Sequence, residues 1–288
     1  RGTAGFAHVS CLAEQAKILI EEAEENNLGA KALFERNGRW STCSLCEQIY
    51  HGVVAGALGW ACWKTYVGRP ENDKIRFNAM NLLGNGLFSA KRHEDALSVY
   101  EAQLSMRRRH GDSGETLLVV QDNLANSYQV LGRHEEAHRV RRDVYSARLK
   151  LNGEEDRQTL GAAHNYASSL IRLQRFEETK ALMRKTIPVA RRVLGEYYVL
   201  TLMMRWIYAE AVWRDYDAPL DDVREAVTGL EDLARDSRRV LGGAHPRTTG
   251  IERSLRGSRE VLRAREEGGV DALREAMAAI LGCDAATR

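Results

Sequence analysis

The sequence has little proline, no long apolar run and no excess of charge of either sign. Only 4 of its 288 residues are proline, which permits long helices. The longest apolar stretch, residues 53–63, has 11 residues and is too short to span a bilayer. Lys and Arg total 42, Asp and Glu total 40, and the net charge is +2. We therefore expect neither nucleic acid nor an anionic membrane as the main partner.

The cysteines and the start of the chain also exclude some classes of protein. Five cysteines, an odd number, have no spacing typical of a disulfide framework, so a reducing compartment and a cytoplasmic location are predicted. The chain does not open with a basic segment followed by an apolar one, as a signal peptide does. Its first residue is Arg1 rather than Met, so we expect it to be part of a larger, multidomain chain.

What the sequence does contain is a repeat. Four segments end in basic residues followed by a glycine, and these glycines, Gly111, Gly153, Gly195 and Gly242, are 42, 42 and 47 residues apart. A weaker fifth copy ends at Gly68, 43 residues before Gly111. A fixed period of about 20 to 50 residues is typical of stacked-repeat proteins. We therefore expect an array of helical units, in which each unit packs on its neighbours.

Each period contains two predicted helices. The second, helix B, begins with carboxylates and ends with arginines, which suits the helix dipole, and the glycine after it supplies a positive φ. The first, helix A, follows a recurring Thr-Leu pair and carries apolar residues at i, i+1 and i+4. A small residue in the middle of this pattern lets the next helix approach closely. These small residues are Gly84, Ala125, Ala167 and Ala209.

This pattern resembles the tetratricopeptide repeat, whose usual unit is about 34 residues. The 42-residue period, the Asn-Leu-Ala segment at 123–125 and the segment 238–246, which ends in His245-Pro246, resemble the longer repeats of kinesin light chains. The resemblance covers residues 76–250, and residues 40–75 loosely. It implies an all-α right-handed α-solenoid of stacked antiparallel helix pairs. The fourth unit departs from it by five extra residues near 215–220, which we expect to lengthen its inter-helix turn.

The resemblance also implies a concave face, lined by helices A, that holds an extended peptide. Each helix A has one large core residue, directly before the small residue: Leu83, Leu124, Tyr166 and Tyr208. The residues two positions before it, and two and five positions after it, are expected to face this groove. Asparagine carries both a donor and an acceptor, so a row of asparagines can pair with a peptide backbone. We predict as groove residues Asn81, Asn85, Phe88, Asp122, Asn126, Gln129, His164, Asn165 and Ser168. The same rule adds Ile171, Trp206, Glu210 and Trp213. A polar face that is merely solvated is the alternative.

The segment Cys-Ser-Leu-Cys at residues 43–46, followed by His51, begins like a zinc knuckle. The fourth ligand of a knuckle would stand at position 56, which is a glycine, and Cys62 is the only nearby substitute. The metal-site alternative therefore consists of Cys43, Cys46, His51 and Cys62. A redox pair without metal is a further alternative, although no thioredoxin-like context surrounds it.

The repeat register favours a different interpretation of the two cysteines. A shift of 85 residues places Cys43 on Tyr128 and Cys46 on Leu131, both inward positions of helix A. Buried cysteine packs as a small hydrophobe. We therefore expect both cysteines to lie in the core, and no metal site.

Other patterns are predicted to be structural. Trp60, Trp63 and Tyr66 form a helical stripe that we assign to the core. The recurring arginines mark helix C-termini rather than a site for an anionic partner. Residues 84–86, Gly-Asn-Gly, lie inside helix A and lack the other residues of a nucleotide loop.

The sequence as a whole predicts a non-catalytic scaffold without a cofactor, which binds a protein or peptide partner. A zinc-containing adaptor and a nucleic-acid-binding helical repeat remain alternatives. We predict three parts: a divergent N-terminal helical region at 1–75, with a leading helix at 8–25; the repeat array at 76–256; and charged and capping helices at 257–288, with the cap at 270–281.

Overall fold

The computed structural model describes residues 8–112 and 114–268, and every regular element of this part of the chain is helical. A single 3-10 turn, Gly38–Trp40, follows the second helix. The α-helices are α1 (Val9–Glu25), α2 (Gly29–Asn37), α3 (Gly52–Tyr66), α4 (Lys74–Ser89), α5 (His93–Arg109), α6 (Glu115–Val130), α7 (His134–Asn152), α8 (Arg157–Arg172), α9 (Phe176–Leu194), α10 (Val199–Trp213), α11 (Leu220–Leu241) and α12 (Pro246–Glu266).

The chain divides into two compact units, which meet in sequence at Val140 and Arg141, inside α7. In the first unit α3 packs on α4, α4 on α5, and α5 on α6. In the second unit α8 packs on α9, α9 on α10, α10 on α11, and α11 on α12. Short connections make successive helices antiparallel. The predicted all-α class of stacked antiparallel helix pairs is confirmed. Helices A are α4, α6, α8, α10 and α12, and helices B are α5, α7, α9 and α11.

The glycine after each helix B has the predicted conformation. The φ angles are 73° at Gly111, 80° at Gly153, 96° at Gly195 and 88° at Gly242. These values lie in the left-handed region that favours glycine. In the weaker fifth copy α3 ends instead with Val67 in the right-handed helical region, at φ −60°. The N-terminal copy therefore lacks the regular helix termination of the array.

The turn from helix A to helix B is also repeated. In the second pair Gly132 has φ 75°, the Arg133 N–H donates to the Tyr128 carbonyl at 2.8 Å, and the Arg133 guanidinium pairs with Glu136 at 3.0 Å. The same arrangement recurs at residues 87–95 and 170–178. The fourth turn is longer, as predicted, because α10 ends at Trp213 and α11 begins at Leu220.

That longer turn is held by a buried ion pair. Lys180 of α9 lies 2.7 Å from Asp215, and both side chains are almost fully buried. Burial by itself opposes both charges, but the hydrogen bond between them lowers the pKa of Asp215 and raises that of Lys180. The Asp217 N–H also donates to Asp215, and Glu177 also pairs with Lys180, with the same effects. Arg265 of α12 donates to the carbonyls of Asp215 and Ala218. The extra residues are thus fixed in place rather than projecting freely.

A recurring threonine ties three of the helices A, α8, α10 and α12, to the preceding helix B. It is the third residue of its helix and is almost fully buried. Its hydroxyl donates to a carbonyl 11 residues earlier, near the end of helix B. The three donors and acceptors are Thr159 to Arg148, Thr201 to Ala190, and Thr248 to Ser237. From the sequence, this threonine was only a recurring residue before helix A. In the structure it fixes the position of helix A along the preceding helix B.

Side-chain caps begin three of the helices A. Asp73 accepts from the N–H groups of Ile75 and Arg76, and Asp156 caps α8 in the same way. The imidazole of His245 accepts from Arg247 N–H, and Pro246 follows it at the first helical position. The single His-Pro element is thus one solution to the same capping requirement.

Several further expectations can be compared with the described residues. The predicted leading helix corresponds to α1. Tyr66 is buried and Trp63 packs against the core, but Trp60 is exposed, so the aromatic stripe is only partly in the core. The segment 257–267 is not a separate helix, because α12 continues through it. The three-part division of the chain stays a prediction, and the predicted cap at 270–281 lies outside the described residues. Within those residues, no helix is long and apolar enough to cross a membrane.

Candidate functional site

The predicted groove residues of the first unit lie on α4 and α6. Asn85 and Asn126 are exposed, whereas Asn81, Asp122 and Gln129 are half-buried. On each helix the predicted positions are separated by four and three residues, so they share one face. The first unit therefore presents a polar face on two helices of the same type.

A hydrogen bond between two asparagines joins these helices. Asn123 Nδ2 of α6 donates to Asn81 Oδ1 of α4 at 3.2 Å. Asn123 is not among the predicted groove residues, because the pattern rule selects its neighbour Asp122 instead. The signal that could have identified it is the repeat period, since Asn81 and Asn123 are 42 residues apart.

Asn85 is oriented by the core beneath it. The Tyr100 hydroxyl donates to Asn85 Oδ1 at 2.7 Å. Burial raises the pKa of Tyr100, so its hydroxyl stays protonated and available as a donor. The Tyr100 ring occupies the space where a Cβ at Gly84 would lie. The small residue predicted from the repeat pattern thus admits the aromatic ring that fixes an exposed amide.

Phe88, the last predicted groove residue of α4, has a different role. Its side chain packs against the hydrophobic core of the first unit. Its ring also meets that of His93 edge-on, with the ring centroids 4.8 Å apart. Phe88 therefore closes the turn between α4 and α5 and exposes only part of its ring.

The predicted residues of the second unit lie on α8 and are half-buried. His164 Nδ1 is 3.3 Å from Asn165 Oδ1. Burial lowers the pKa of His164, and the charges of Arg141 and Arg247 lower it further. The imidazole is therefore neutral at pH 7, and its Nδ1–H donates to Asn165. Ser168 lies one turn further along the same helix.

The rule that added four further residues to the groove is wrong for Ile171 of α8 and Trp213 of α10, whereas Trp206 and Glu210 are half-buried and their place in the groove stays a prediction. Ile171 and Trp213 are buried, Trp213 to 1% exposure, and the Trp213 indole N–H donates to Ser254 at 3.2 Å. Glu210 accepts a hydrogen bond from Ser254 as well. Trp206 packs on α12 where Gly250 leaves room for its ring. This face of α10 is covered by α12.

The predicted core packing of Cys43 and Cys46 is also wrong. Residues 41–50 are not a helix but a tight hairpin, in which Thr42 and Ile49 form an antiparallel bridge. The Cys43 N–H donates to the Gln48 carbonyl at 2.9 Å, and the Tyr50 N–H donates to the Ser41 carbonyl at 2.8 Å. Cys46 is exposed and Cys43 is half-buried.

The four residues of the metal-site alternative do not form one cluster. Cys62 is buried in the core next to Trp40 and Tyr66, and burial raises its pKa strongly. His51 is exposed at the start of α3. Among the described residues, no three Cys, His, Asp or Glu side chains converge in a way that could hold a metal ion.

The arginines at the ends of helices B are engaged in ion pairs. Arg107 lies 2.8 Å from Asp112, and Arg191 lies 2.8 Å from Glu196. Arg192 reaches Glu155 at 2.6 Å. These partners neutralise the clusters locally, in agreement with the structural role predicted for them.

Comparisons with known proteins agree with this geometry. Residues 76–150 and 159–196 match models of the tetratricopeptide repeat. A solved structure of the TPR-like repeats of a putative kinesin light chain from Podosopora anserina is 16% identical, with 82% of this chain and 99% of that chain covered and a TM-score of 0.55. BtubC (BKLC) from P. vanneervenii is 15% identical, with 96% and 94% covered and a TM-score of 0.53. No curated protein sequence matches the chain.

The fold and these matches define the class as a helical-repeat protein built of stacked helix pairs. More particularly, the repeats at residues 76–150 and 159–196 match the tetratricopeptide repeat, and the structural neighbours are kinesin-light-chain-like, the resemblance that the sequence predicted. At such low identities the solved structures establish the fold alone.

Proposed function

We propose that the chain is a non-catalytic interaction scaffold whose first unit binds an extended peptide segment of a partner protein on the α4–α6 face. Tetratricopeptide repeats are generally protein-interaction modules, which supports this class of function. The face consists of Asn81, Asn85, Asn123 and Asn126, flanked by Asp122 and Gln129.

The hydrogen bond between Asn81 and Asn123 is the observation that carries the proposal. Each amide has an acceptor branch and a donor branch. The bond uses the acceptor of Asn81 and the donor of Asn123, so the opposite branches are oriented to pair with a peptide C=O and N–H, respectively. Asn85 is fixed in the same manner, because its acceptor branch receives the Tyr100 hydroxyl.

Preorganisation of these amides favours affinity. Side chains that are already held by hydrogen bonds lose little conformational entropy when a ligand binds. A main-chain ligand suits the face better than a charged one, since its side chains are amides with one carboxylate, Asp122. Nucleic acid, which needs a basic surface, is therefore disfavoured as a partner.

The same reasoning extends the proposal to α8 of the second unit, considered separately. The neutral imidazole of His164 is held by Asn165, and Ser168 adds a hydroxyl on the same helix. The proposal also includes a cytoplasmic location, which the free thiols of Cys11, Cys43, Cys46 and Cys62 support.

The test is a selection of random displayed peptides against the whole chain, followed by calorimetric titration of the selected peptides. Asn126→Ala and Asn81→Ala are each expected to weaken binding about tenfold, or about 1.4 kcal/mol. Asn126→Ala is expected to change the free energy of unfolding by less than about 0.5 kcal/mol, because Asn126 is exposed. Asn81→Ala is expected to cost about 1 kcal/mol, because it also removes the hydrogen bond to Asn123.

Ser98→Ala is the matched control, since Ser98 is an exposed polar residue on helix B of the same unit. It should leave peptide affinity unchanged. Selected peptides that bind all three variants equally, or a library without binders, would contradict the proposal. If Asn126→Ala unfolds the protein, the assignment of the helix A face is itself wrong.

A further inference from the structure

The hairpin at residues 41–50 places two thiols side by side on the surface. The thiol of Cys46 lies within hydrogen-bonding reach of Cys43, and Cys46 is exposed. The backbone of the hairpin holds this arrangement, since Glu47 N–H donates to the Cys43 carbonyl at 3.1 Å and Glu47 has φ 56°. The hairpin therefore holds the two thiols next to each other at the surface.

The surroundings of Cys43 favour a thiolate. The N–H groups of Cys46 and Leu45 point at its sulfur, with Leu45 N at 3.5 Å from Sγ. These donors, with smaller contributions from the Cys46 thiol and the Tyr50 hydroxyl, lower the pKa of Cys43 to about 7. A thiolate is the nucleophile in thiol–disulfide exchange.

The sulfurs are also accessible. An open cleft of about 420 Å³ lies beside the hairpin and is lined by Glu35, Gly38, Arg39, Thr42 and Glu47. Thr42 directly precedes Cys43 in sequence, and Glu47 directly follows Cys46. The cleft thus flanks the pair, and because Cys46 itself is exposed, a small molecule can reach its sulfur from solvent.

We propose that Cys43 and Cys46 are a reversible dithiol–disulfide pair, oxidised by small-molecule disulfides. The Cys43 thiolate attacks one sulfur of the disulfide, which forms a mixed disulfide and releases one thiolate. The Cys46 sulfur, on losing its proton, attacks the Cys43 sulfur and releases the second thiolate. Overall, the dithiol loses two electrons and two protons to the disulfide, which leaves as two thiols. A pair needs no third ligand, which agrees with the absence of a metal cluster in the described residues.

The experiment treats the whole reduced chain with oxidised glutathione, blocks remaining thiols and cleaves after Arg39 and Glu47. The resulting peptide contains Cys43 and Cys46 but not Cys62. Formation of the Cys43–Cys46 disulfide removes two hydrogen atoms from this peptide. We expect this reaction to be at least about tenfold faster than the addition of glutathione to Cys11. Cys11 is the internal control because it is exposed, lies on α1 and has no adjacent cysteine.

Two variants separate the steps. Cys46→Ser should retain glutathione on Cys43, because the resolving thiol is missing. Cys43→Ser should slow the modification of Cys46 to the rate of Cys11. Both substitutions are in the surface hairpin, and circular dichroism checks that they fold.

Three results would overturn the proposal. The first is a pair that reacts no faster than Cys11. The second is wild-type protein that keeps glutathione on Cys43 without closing the disulfide. The third is a pair that becomes reactive only after a chelator is added, which would make Cys43 and Cys46 metal ligands instead.

Discussion

The N-terminal region, residues 8–68, and the array, residues 74–266, are both helical but are held together differently. In the array, α4, α8 and α12 have side-chain caps, α8, α10 and α12 each begin with a buried threonine, and α4, α6, α8 and α10 share a buried small residue at equivalent positions. In the N-terminal region α1 and α2 have no side-chain cap, and a hairpin stands where the register predicts a helix A. Periodic anchors thus specify the array, whereas the N-terminal region is specified by contacts of its own.

Exposure of apolar side chains shows the same difference. Among the described residues, four large apolar side chains are more than 60% exposed, and all lie between residues 34 and 53. They are Phe34, Leu45, Ile49 and Val53. The array instead directs its large apolar residues inward at helical spacing. The same type of substitution should therefore change the free energy of unfolding by different amounts in the two regions.

The largest expected difference comes from introducing a carboxylate. Ala125 is fully buried between helices of the first unit, so Ala125→Asp buries an unpaired charge. We expect a loss of about 3 kcal/mol or more in the free energy of unfolding. Leu45 is 82% exposed in the hairpin, and Leu45→Asp should change stability by less than about 0.5 kcal/mol. Urea denaturation of both variants measures this, and similar losses for the two would invalidate the comparison.

A smaller effect is expected where the two regions touch. Gly59 of α3 lies against α4, and a Cβ there would be 2.7 Å from the Leu82 carbonyl oxygen. Gly59→Ala should therefore cost about 2 kcal/mol, because the backbones must separate. Gly161 lies inside α8 with open space around it, so Gly161→Ala should stabilise by about 0.5–1 kcal/mol. Thermal and urea unfolding report both, and a stabilising Gly59→Ala would show that α3 and α4 are not in close contact.

The array could be predicted from the sequence because its anchors are local and recur. The glycine, the arginines and the small residue each identify one position of the repeat. The N-terminal hairpin could not be predicted by extending the register, because the anchors are missing there. The shift of 85 residues that aligned Cys43 and Cys46 with a helix A also aligns Trp40 with Ala125 and Arg39 with Leu124. A helix A needs a small residue at that position, and Trp40 is instead a core residue of the N-terminal region.

The candidate site could be predicted only in part, for a related reason. Helical spacing correctly selects Asn85 and Asn126 as exposed residues of helices A. It does not reveal how a neighbouring helix crosses the same face. On α10 the equivalent positions are covered by α12, where Ser254 meets both Trp213 and Glu210. That contact depends on the angle between two helices, which periodicity does not encode.

The smallest expected difference concerns threonine. Thr248 is fully buried, and its hydroxyl donates to the Ser237 carbonyl at 3.4 Å, joining α12 to α11. Thr248→Val keeps the shape and removes the donor, so we expect a loss of about 1 kcal/mol. Thr65 of α3 is exposed and donates within its own helix, to Ala61 at 2.9 Å. Thr65→Val should cost less than about 0.5 kcal/mol. Paired urea titrations resolve this difference, and equal effects would mean that the recurring threonine is a helix-start preference rather than an anchor between helices.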